Sequence, residues 1–359
     1  MQIREGVPLA PLTTLGLGGP ARWLAEVGEE AELREAVVWA ASRRVALRLL
    51  GGGSNLVIAD GGVDGLVLQV GLSGVRAERR GDEVLVTAAA GEPWDGFVAR
   101  CVGERWQGIE CLSGIPGTVG GTPIQNVGAY GQEVAETIRS VRVLDLAEGS
   151  TRQLLPDDCG FSYRSSVFRA SPGRFAVLAV TFALRTGGTP TPRYAELAGA
   201  LASRGTSPSL ADVREAVLEL RRGKSMVVSP DDPASHSAGS FFVNPVVEPD
   251  ESERLVTAAV AAGLAAGPGE VPAYPAPGDR VKLSAAWLIE KAGFPRGTRR
   301  GWVGVSPQHA LALVHHGGGT TSELVTLARD IRTAVRDRFG VDLRPEPIFW
   351  GFPTADPTA

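Results

Sequence analysis

Two glycine-rich stretches hold the residues whose types and spacing can do chemistry, and that chemistry is the binding of an anion by main-chain amides. The first is CLSGIPGTVGGTPIQNVGAYGQE, Cys111 to Glu133, with six glycines and two prolines among buried-type Ile and Val residues. Such a backbone must turn repeatedly and leave N–H groups bare at close range. Few polar side chains stand in its glycine-rich part, so it points to amides meeting an anionic or ring-shaped ligand rather than to side-chain acid–base work. A string of tight turns at a sheet edge is the alternative. The second stretch, LLGGGSNLVIAD from Leu49 to Asp60, sets Gly51, Gly52 and Gly53 directly after an apolar run and follows them with Ser54 and Asn55. That pattern suits the close approach of a pyrophosphate. The run Leu56-Val57-Ile58 then predicts a strand where a Rossmann fingerprint needs a helix, and the G-x-G-x-x-G spacing is missing, so a Rossmann fold is disfavoured.

Other chemistries find less support. Cys101, Cys111 and Cys159 show no C-x-x-C spacing and cannot all pair with one another, so they read as reduced, packed residues. His236, His309, His315 and His316 lack the i, i+4 spacing of a zinc helix, and no metal is expected. The sequence RRGKS resembles a P-loop ending, but Leu218 stands where that motif needs glycine. Ser240, in AGSFFVNP, lies outside any G-x-S-x-G elbow, which leaves a serine hydrolase unsupported.

Periodicity supplies the elements that must position these residues. Residues 13–25 read as a turn-rich entry, 29–41 as a helix with Leu33, Val37 and Ala40 on one face, and 45–50 as a strand. Residues 75–90 alternate as a hairpin turning at Gly81-Asp82, a helix suits 94–102, and strands suit 141–145 and 175–185. Residues 186–209 read as a linker with a short helix, and 210–222 as an amphipathic helix ending in a basic cluster. Beyond them a strand is expected at 240–244, helices at 251–262 and 284–292, a strand at 310–314 and a helix at 321–339.

With 359 residues there is room for two or three domains. The 43% hydrophobic and 21% charged residues argue against disorder and against a membrane span, and the longest apolar stretch, 175–184, is too short to cross a bilayer. No apolar region follows the polar start MQIREG, so a cytoplasmic location is expected. A formal net charge of -4 argues against a nucleic-acid-binding surface while leaving room for a local cationic pocket.

GGGSNLVIAD, GIPGTVGGTPIQNVGAYGQE, YRSSVFR from Tyr163 and AGSFFVNP from Ala238 together resemble the UDP-N-acetylenolpyruvoylglucosamine reductase family. The likeness runs from TTLGLGG at Thr13 to LRPEPIFWG ending at Gly351, nearly the whole chain. It implies an α+β architecture: a two-lobed FAD-binding module of the vanillyl-alcohol-oxidase/PCMH type plus a C-terminal α/β substrate-binding domain. Lobe 1 would be residues 1–72 with the tail 347–359, lobe 2 residues 73–225, and the substrate domain residues 226–346. The implied activity is the NADPH-dependent, FAD-mediated reduction of UDP-N-acetylglucosamine enolpyruvate to UDP-N-acetylmuramate for peptidoglycan, by a monomer. Because substrate and NADPH must reach the same flavin, ping-pong kinetics are expected.

By the same resemblance, FAD would be held by Gly51, Gly52, Gly53, Ser54 and Asn55, by Gly114, Ile115, Gly117, Thr118 and Gly121, and by Gln125, Asn126, Gly128 and Ala129. Adding hydride to the enolpyruvyl methylene pushes negative charge onto C2 and the carboxylate, so the site needs a cation for the carboxylate and a proton source beside C2. Arg164 is the candidate cation, with a planar fork that stays charged. Ser240 is the candidate proton donor. Glu346, flanked by Pro345 and Pro347 in an extended segment, is expected to be protonated in the reactive complex or neutralised by Arg164. Tyr194, Lys224, Asn244 and Gln308 would bind the substrate. His315 stands close to a position usually held by asparagine in the family, and the stretch from Lys224 to Ser240 is longer than in some relatives.

Two other readings share the fold. A flavin-dependent oxidase is the alternative, although residues 51–60 contain no histidine to tether the flavin, so FAD is expected to be non-covalent. A flavin-binding protein without catalysis is the third.

Overall fold

In the computed structural model, which describes residues 1–359 apart from 203, 205 and 206, the burial of apolar runs sorts the chain into two compact units. One comprises Met1–Val7, Ala21–Gly53 and Val63–Val227; the other comprises Pro8–Pro20, Ser54–Gly62 and Val228–Ala359.

The first unit is built on two sheets. Strands Ile3–Pro8, Pro20–Val27, Val63–Val70 and Leu47–Leu50 lie in that order, and Val63–Val70 runs parallel to both of its neighbours. A parallel sheet needs long crossovers and is covered on its faces, which is why Leu66, Val67 and Leu68 form an unbroken, fully buried apolar run within Val63–Val70. The helix Glu30–Arg43 supplies one crossover and buries Leu33, Ala36 and Ala40. It stops at Arg44, whose left-handed backbone closes the last turn. The turn-rich entry expected up to residue 25 is corrected here: Pro20–Val27 is a strand, because Ala21, Leu24, Ala25 and Val27 all face the core beside Val63–Val70.

The second sheet of this unit is antiparallel, ordered Thr151–Leu154, Ile138–Asp145, Phe175–Thr186, Glu83–Ala89 and Val75–Arg80. The helix Trp94–Gly103 packs Trp94 and Phe97 against Phe182 of the long strand, with ring centroids 5.2–5.8 Å apart. A third layer forms where the helices Ala195–Ala202 and Leu210–Arg222 pair through Leu197, Leu201, Val213 and Val217, with Cys111 buried among them. Ser209 caps the longer helix through a reciprocal pair with Asp212. Cys101, Cys111 and Cys159 are free and buried, and burial pushes each thiol up to about 12.

The second unit has its own core around the sheet Ser237–Ser240, Ala312–His315, Val303–Val305 and Arg299–Arg300. The helices Pro249–Ala261, Ala285–Lys291 and Thr321–Phe339 cover it. Strand Leu56–Ile58 pairs in parallel with Ile348–Trp350 at the end of the chain, and both belong to this unit. Asp60 then accepts from the amides of Thr321 and Ser322 at 2.7 and 2.9 Å, capping the longest helix from outside it. The strand expected at 240–244 is displaced: it spans Ser237–Ser240, and its pairing with Ala312–His315 shifts register at Gly239, whose φ is +77°. Among the described residues, no helix is long and apolar enough to cross a membrane.

Candidate active site

In the first unit the two glycine-rich stretches meet main chain to main chain. A Cβ at Gly52 would stand 2.6 Å from Gly117 Cα, so this position tolerates no side chain, and one at Gly51 would stand 2.8 Å from Thr118 Oγ1, so the threonine hydroxyl would have to move. The longer stretch is pinned to the antiparallel sheet by Val119 N–H donating to Glu92 O at 2.9 Å and Gly120 N–H donating to Ala90 O at 2.8 Å. Gly114 N–H donates to Asp95 Oδ1 at 2.5 Å, and Arg214 grips the same carboxylate at 2.6 and 2.8 Å. Burial pushes Asp95 up, but the Arg214 fork and the Gly114 amide outweigh it and hold the carboxyl below its ordinary value.

Beyond the glycines, the Asn126 side chain ties its own loop to the turn at Ser162. Its Nδ2 donates to Glu133 Oε2 at 2.7 Å and to Ser162 O at 3.1 Å, and its Oδ1 accepts from Ala135 N–H at 3.1 Å. Gln125 Oε1 accepts from Arg169 Nη1 at 3.2 Å. Arg164 sits in a tight turn closed by a Ser162–Ser165 bridge, with a positive φ of 53°. Its Nη2 donates to Gly128 O at 2.9 Å and Nη1 to Asn126 O at 3.5 Å, which brings it to the GAYG end of the glycine-rich stretch.

Tyr130 gathers a second group. The Tyr194 ring meets it edge-on at 5.7 Å, and Lys224 Nζ lies 5.8 Å from its centroid. Burial pushes the Tyr130 phenol up to about 12, so it stays neutral. Lys224 Nζ also makes a 2.6 Å ion pair with Glu196. Arg221, three residues earlier, is only 8% exposed. Its Nη2 donates to Met226 O at 2.7 Å, and its Nε has no hydrogen-bond partner among the described residues. Burial lowers its proton affinity while Tyr130 and Asp95 oppose that shift. The Nε lies 3.4 Å from where a Gly114 Cβ would be. Arg221 falls four residues after Val217, on the apolar stripe of its helix, and that placement is the signal in the sequence for its burial.

In the second unit Ser240 ends its strand opposite Ala312 and is half-buried beside the fully buried Phe241 and Phe242. Phe241 N–H donates to Leu311 O at 2.7 Å, and Glu346 N–H donates to Phe241 O at 2.9 Å. Ser240 and Glu346 are thus brought to adjacent main chains, with Glu346 8% exposed. Asn55 joins them: its Nδ2 donates to Glu346 O at 3.4 Å, and its carbonyl accepts from Ile348 N–H at 2.9 Å. Asn244 Oδ1 accepts from Ala285 N–H at 2.9 Å and so holds the start of a helix. Gln308 is exposed, in a turn where its amide donates to Ser306 Oγ at 3.2 Å. His315 packs its Nε2 3.1 Å from where a Gly16 Cβ would stand. Among the described residues, no group of three or more His, Cys, Asp or Glu side chains could hold a metal ion.

What this arrangement can do is bind rather than cleave. The close main-chain approach of Gly52 to Gly117, together with a buried guanidinium N–H left over at Arg221, fits an anionic cofactor that presents a pyrophosphate and ring acceptors.

Residues 21–154 match the family described as FAD binding domain, and residues 231–350 match UDP-N-acetylenolpyruvoylglucosamine reductase, C-terminal domain. A UDP-N-acetylenolpyruvoylglucosamine reductase of Thermobifida fusca is 50% identical over 351 residues, which cover 97% of this chain and 98% of the relative. One of Mycobacterium tuberculosis is 46% identical, covering 97% of this chain and 95% of the relative. The crystal structure of the Thermus caldophilus reductase aligns with a TM-score of 0.65 at 24% identity, over 98% of this chain and 99% of that one.

Proposed function

The chain belongs to the UDP-N-acetylenolpyruvoylglucosamine reductase family, and from that premise we propose how its own residues carry the reaction. It is an FAD-dependent oxidoreductase that reduces UDP-N-acetylglucosamine enolpyruvate to UDP-N-acetylmuramate with NADPH, in peptidoglycan synthesis. The observation that carries the reading is the backbone-to-backbone approach of Gly52 to Gly117, where the two glycine-rich stretches meet with no room for a side chain. Bound FAD supplies the hydride that NADPH brings.

Residues Gly51–Asn55 and Gly114–Thr118, with Gly121, Gln125, Asn126, Gly128 and Ala129, hold the cofactor. Arg221 offers its unpartnered Nε as a further donor to it. Arg164 neutralises the substrate carboxylate, onto which charge flows as the enolpyruvyl bond is reduced. Its guanidinium is steadied by the carbonyls of Asn126 and Gly128. Ser240 gives a proton to C2. Glu346 works protonated, since an ionised carboxylate would repel the developing enolate. Lys224, Tyr194, Asn244 and Gln308 bind the UDP-sugar, Lys224 through the charge of the phosphates.

Residues 1–72 with the tail 347–359 are read as the first FAD-binding lobe, 73–225 as the second and 226–346 as the substrate-binding domain. The protein is proposed to act as a monomer in the cytoplasm, which sedimentation of the FAD-loaded protein and cell fractionation test. The central experiment is anaerobic: reduce the yellow protein with NADPH, then add UDP-N-acetylglucosamine enolpyruvate. Loss of flavin absorbance followed by its return on adding the enolpyruvate is expected. Return only on admitting oxygen would favour an oxidase, and a colourless protein would overturn the reading.

A further inference from the structure

The cations of the helix Leu210–Arg222 and of the turn after it differ in what already holds them. Arg214 is taken by Asp95 through two hydrogen bonds, Arg221 keeps an unpartnered Nε, and Lys224 is held by Glu196 at 2.6 Å. Glu196 lies two residues after Tyr194, in the helix Ala195–Ala202, whose Leu197 and Leu201 are buried against the helix that leads to Lys224. The main chain of Lys224 is fixed as well: its N–H donates to Arg221 O at 3.1 Å, and Ser225 turns with φ +53°. Glu196 and Lys224 are therefore presented to each other by two packed helices rather than by chance meeting of long side chains. The pair is still open to solution, with the Lys224 side chain 34% and the Glu196 side chain 38% exposed.

We propose that Glu196 competes with the phosphates of the UDP-sugar for the Lys224 ammonium, and so sets how tightly the diphosphate end of the substrate is held. This rests on the reading of Lys224 as a phosphate-binding residue. A phosphate that shares the ammonium with Glu196 faces the carboxylate charge at close range; one that displaces it must first break the ion pair. Either way the carboxylate opposes binding, and replacing it with an uncharged group of the same shape favours binding.

The test is calorimetric titration of FAD-loaded protein with UDP, and with uridine as the uncharged control. Glu196→Gln is expected to bind UDP about two- to fivefold tighter, the gain that a partly exposed ion pair allows, with uridine unchanged. In a Lys224→Met background the same substitution should give no gain. Unchanged or weaker UDP binding by Glu196→Gln, alongside weakened binding by Lys224→Met, would overturn the competition and make Glu196 a residue that orients Lys224. If Lys224→Met leaves UDP affinity intact, the phosphate role of Lys224 itself fails and the competition falls with it. Flavin absorbance of each variant verifies that it folds and loads its cofactor.

Discussion

Arg164 donates to the carbonyl of Gly128 at 2.9 Å from a backbone held at φ +53°, a conformation that costs a non-glycine residue energy. The strained turn and the carbonyl anchor together orient a guanidinium at the end of the glycine-rich stretch. Shortening the fork should therefore disable it even where charge is kept. Arg164→Lys is expected to lower kcat/KM for the enolpyruvyl substrate by about 10²-fold, the scale of losing one oriented donor to a developing oxyanion. Flavin reduction by NADPH, followed by absorbance, should be unaffected; a variant with full turnover would remove Arg164 from the chemistry.

Ser240 and Glu346 occupy neighbouring main chains through the 2.9 Å bond from Glu346 N–H to Phe241 O, so the two are tested in parallel. Ser240→Ala should slow the oxidative half-reaction by about 10²- to 10⁴-fold, the range of a lost general acid, and leave the reductive half-reaction alone. Glu346→Gln keeps the shape and a donor. It should lose the pH dependence that the carboxyl group imposes on turnover, and an unchanged rate with an unchanged pH profile would rule the residue out.

Gly52 has no room for a methyl group, since a Cβ there would lie 2.6 Å from Gly117 Cα. The nearest atom is backbone, so relief requires the two glycine-rich stretches to part. Gly52→Ala should cost about 1–3 kcal/mol of stability, as overpacking does, and reduce the ratio of bound flavin to protein. Denaturant unfolding and the visible spectrum measure the two effects separately.

His315 gives a pH prediction. Burial, then the charge of His236, lowers its proton affinity from the ordinary 6.5, while a hydrogen bond to the Leu15 backbone opposes the shift. Burial also lowers His316. A histidine whose folded value is depressed binds fewer protons folded than unfolded just below 6.5, so stability falls as pH drops through that value toward the folded one. Melting temperature should decline on acidification below about pH 6.5, and His315→Asn should flatten part of that decline. An equal slope in the variant would assign the effect elsewhere.

Local signals made much of this molecule legible in its sequence. The helix Thr321–Phe339 has the boundaries expected, because both its ends are written nearby: Thr320 and Glu323 form a reciprocal cap, and Gly340 takes the left-handed turn that stops it. The hairpin at Gly81-Asp82 was equally local. The glycine-rich motifs pointed to an anion held by amides because six glycines in one stretch constrain the backbone whatever surrounds it. Tertiary structure alone decided the rest. That Pro20–Val27 is a strand depends on Val63–Val70 lying beside it, and the end of a strand at Ser240 depends on a register shift against Ala312–His315. The short segments Pro8–Pro20 and Ser54–Gly62 leave their sequence neighbours to join the second unit, as the pairing of Leu56–Ile58 with Ile348–Trp350 requires. Arg221 became a buried donor and Glu196 a competitor for Lys224 only when separate helices packed. Caps and turns are settled within a few residues by backbone sterics and side-chain reach, whereas strand partners and ion pairs are settled by which distant surfaces exclude water together.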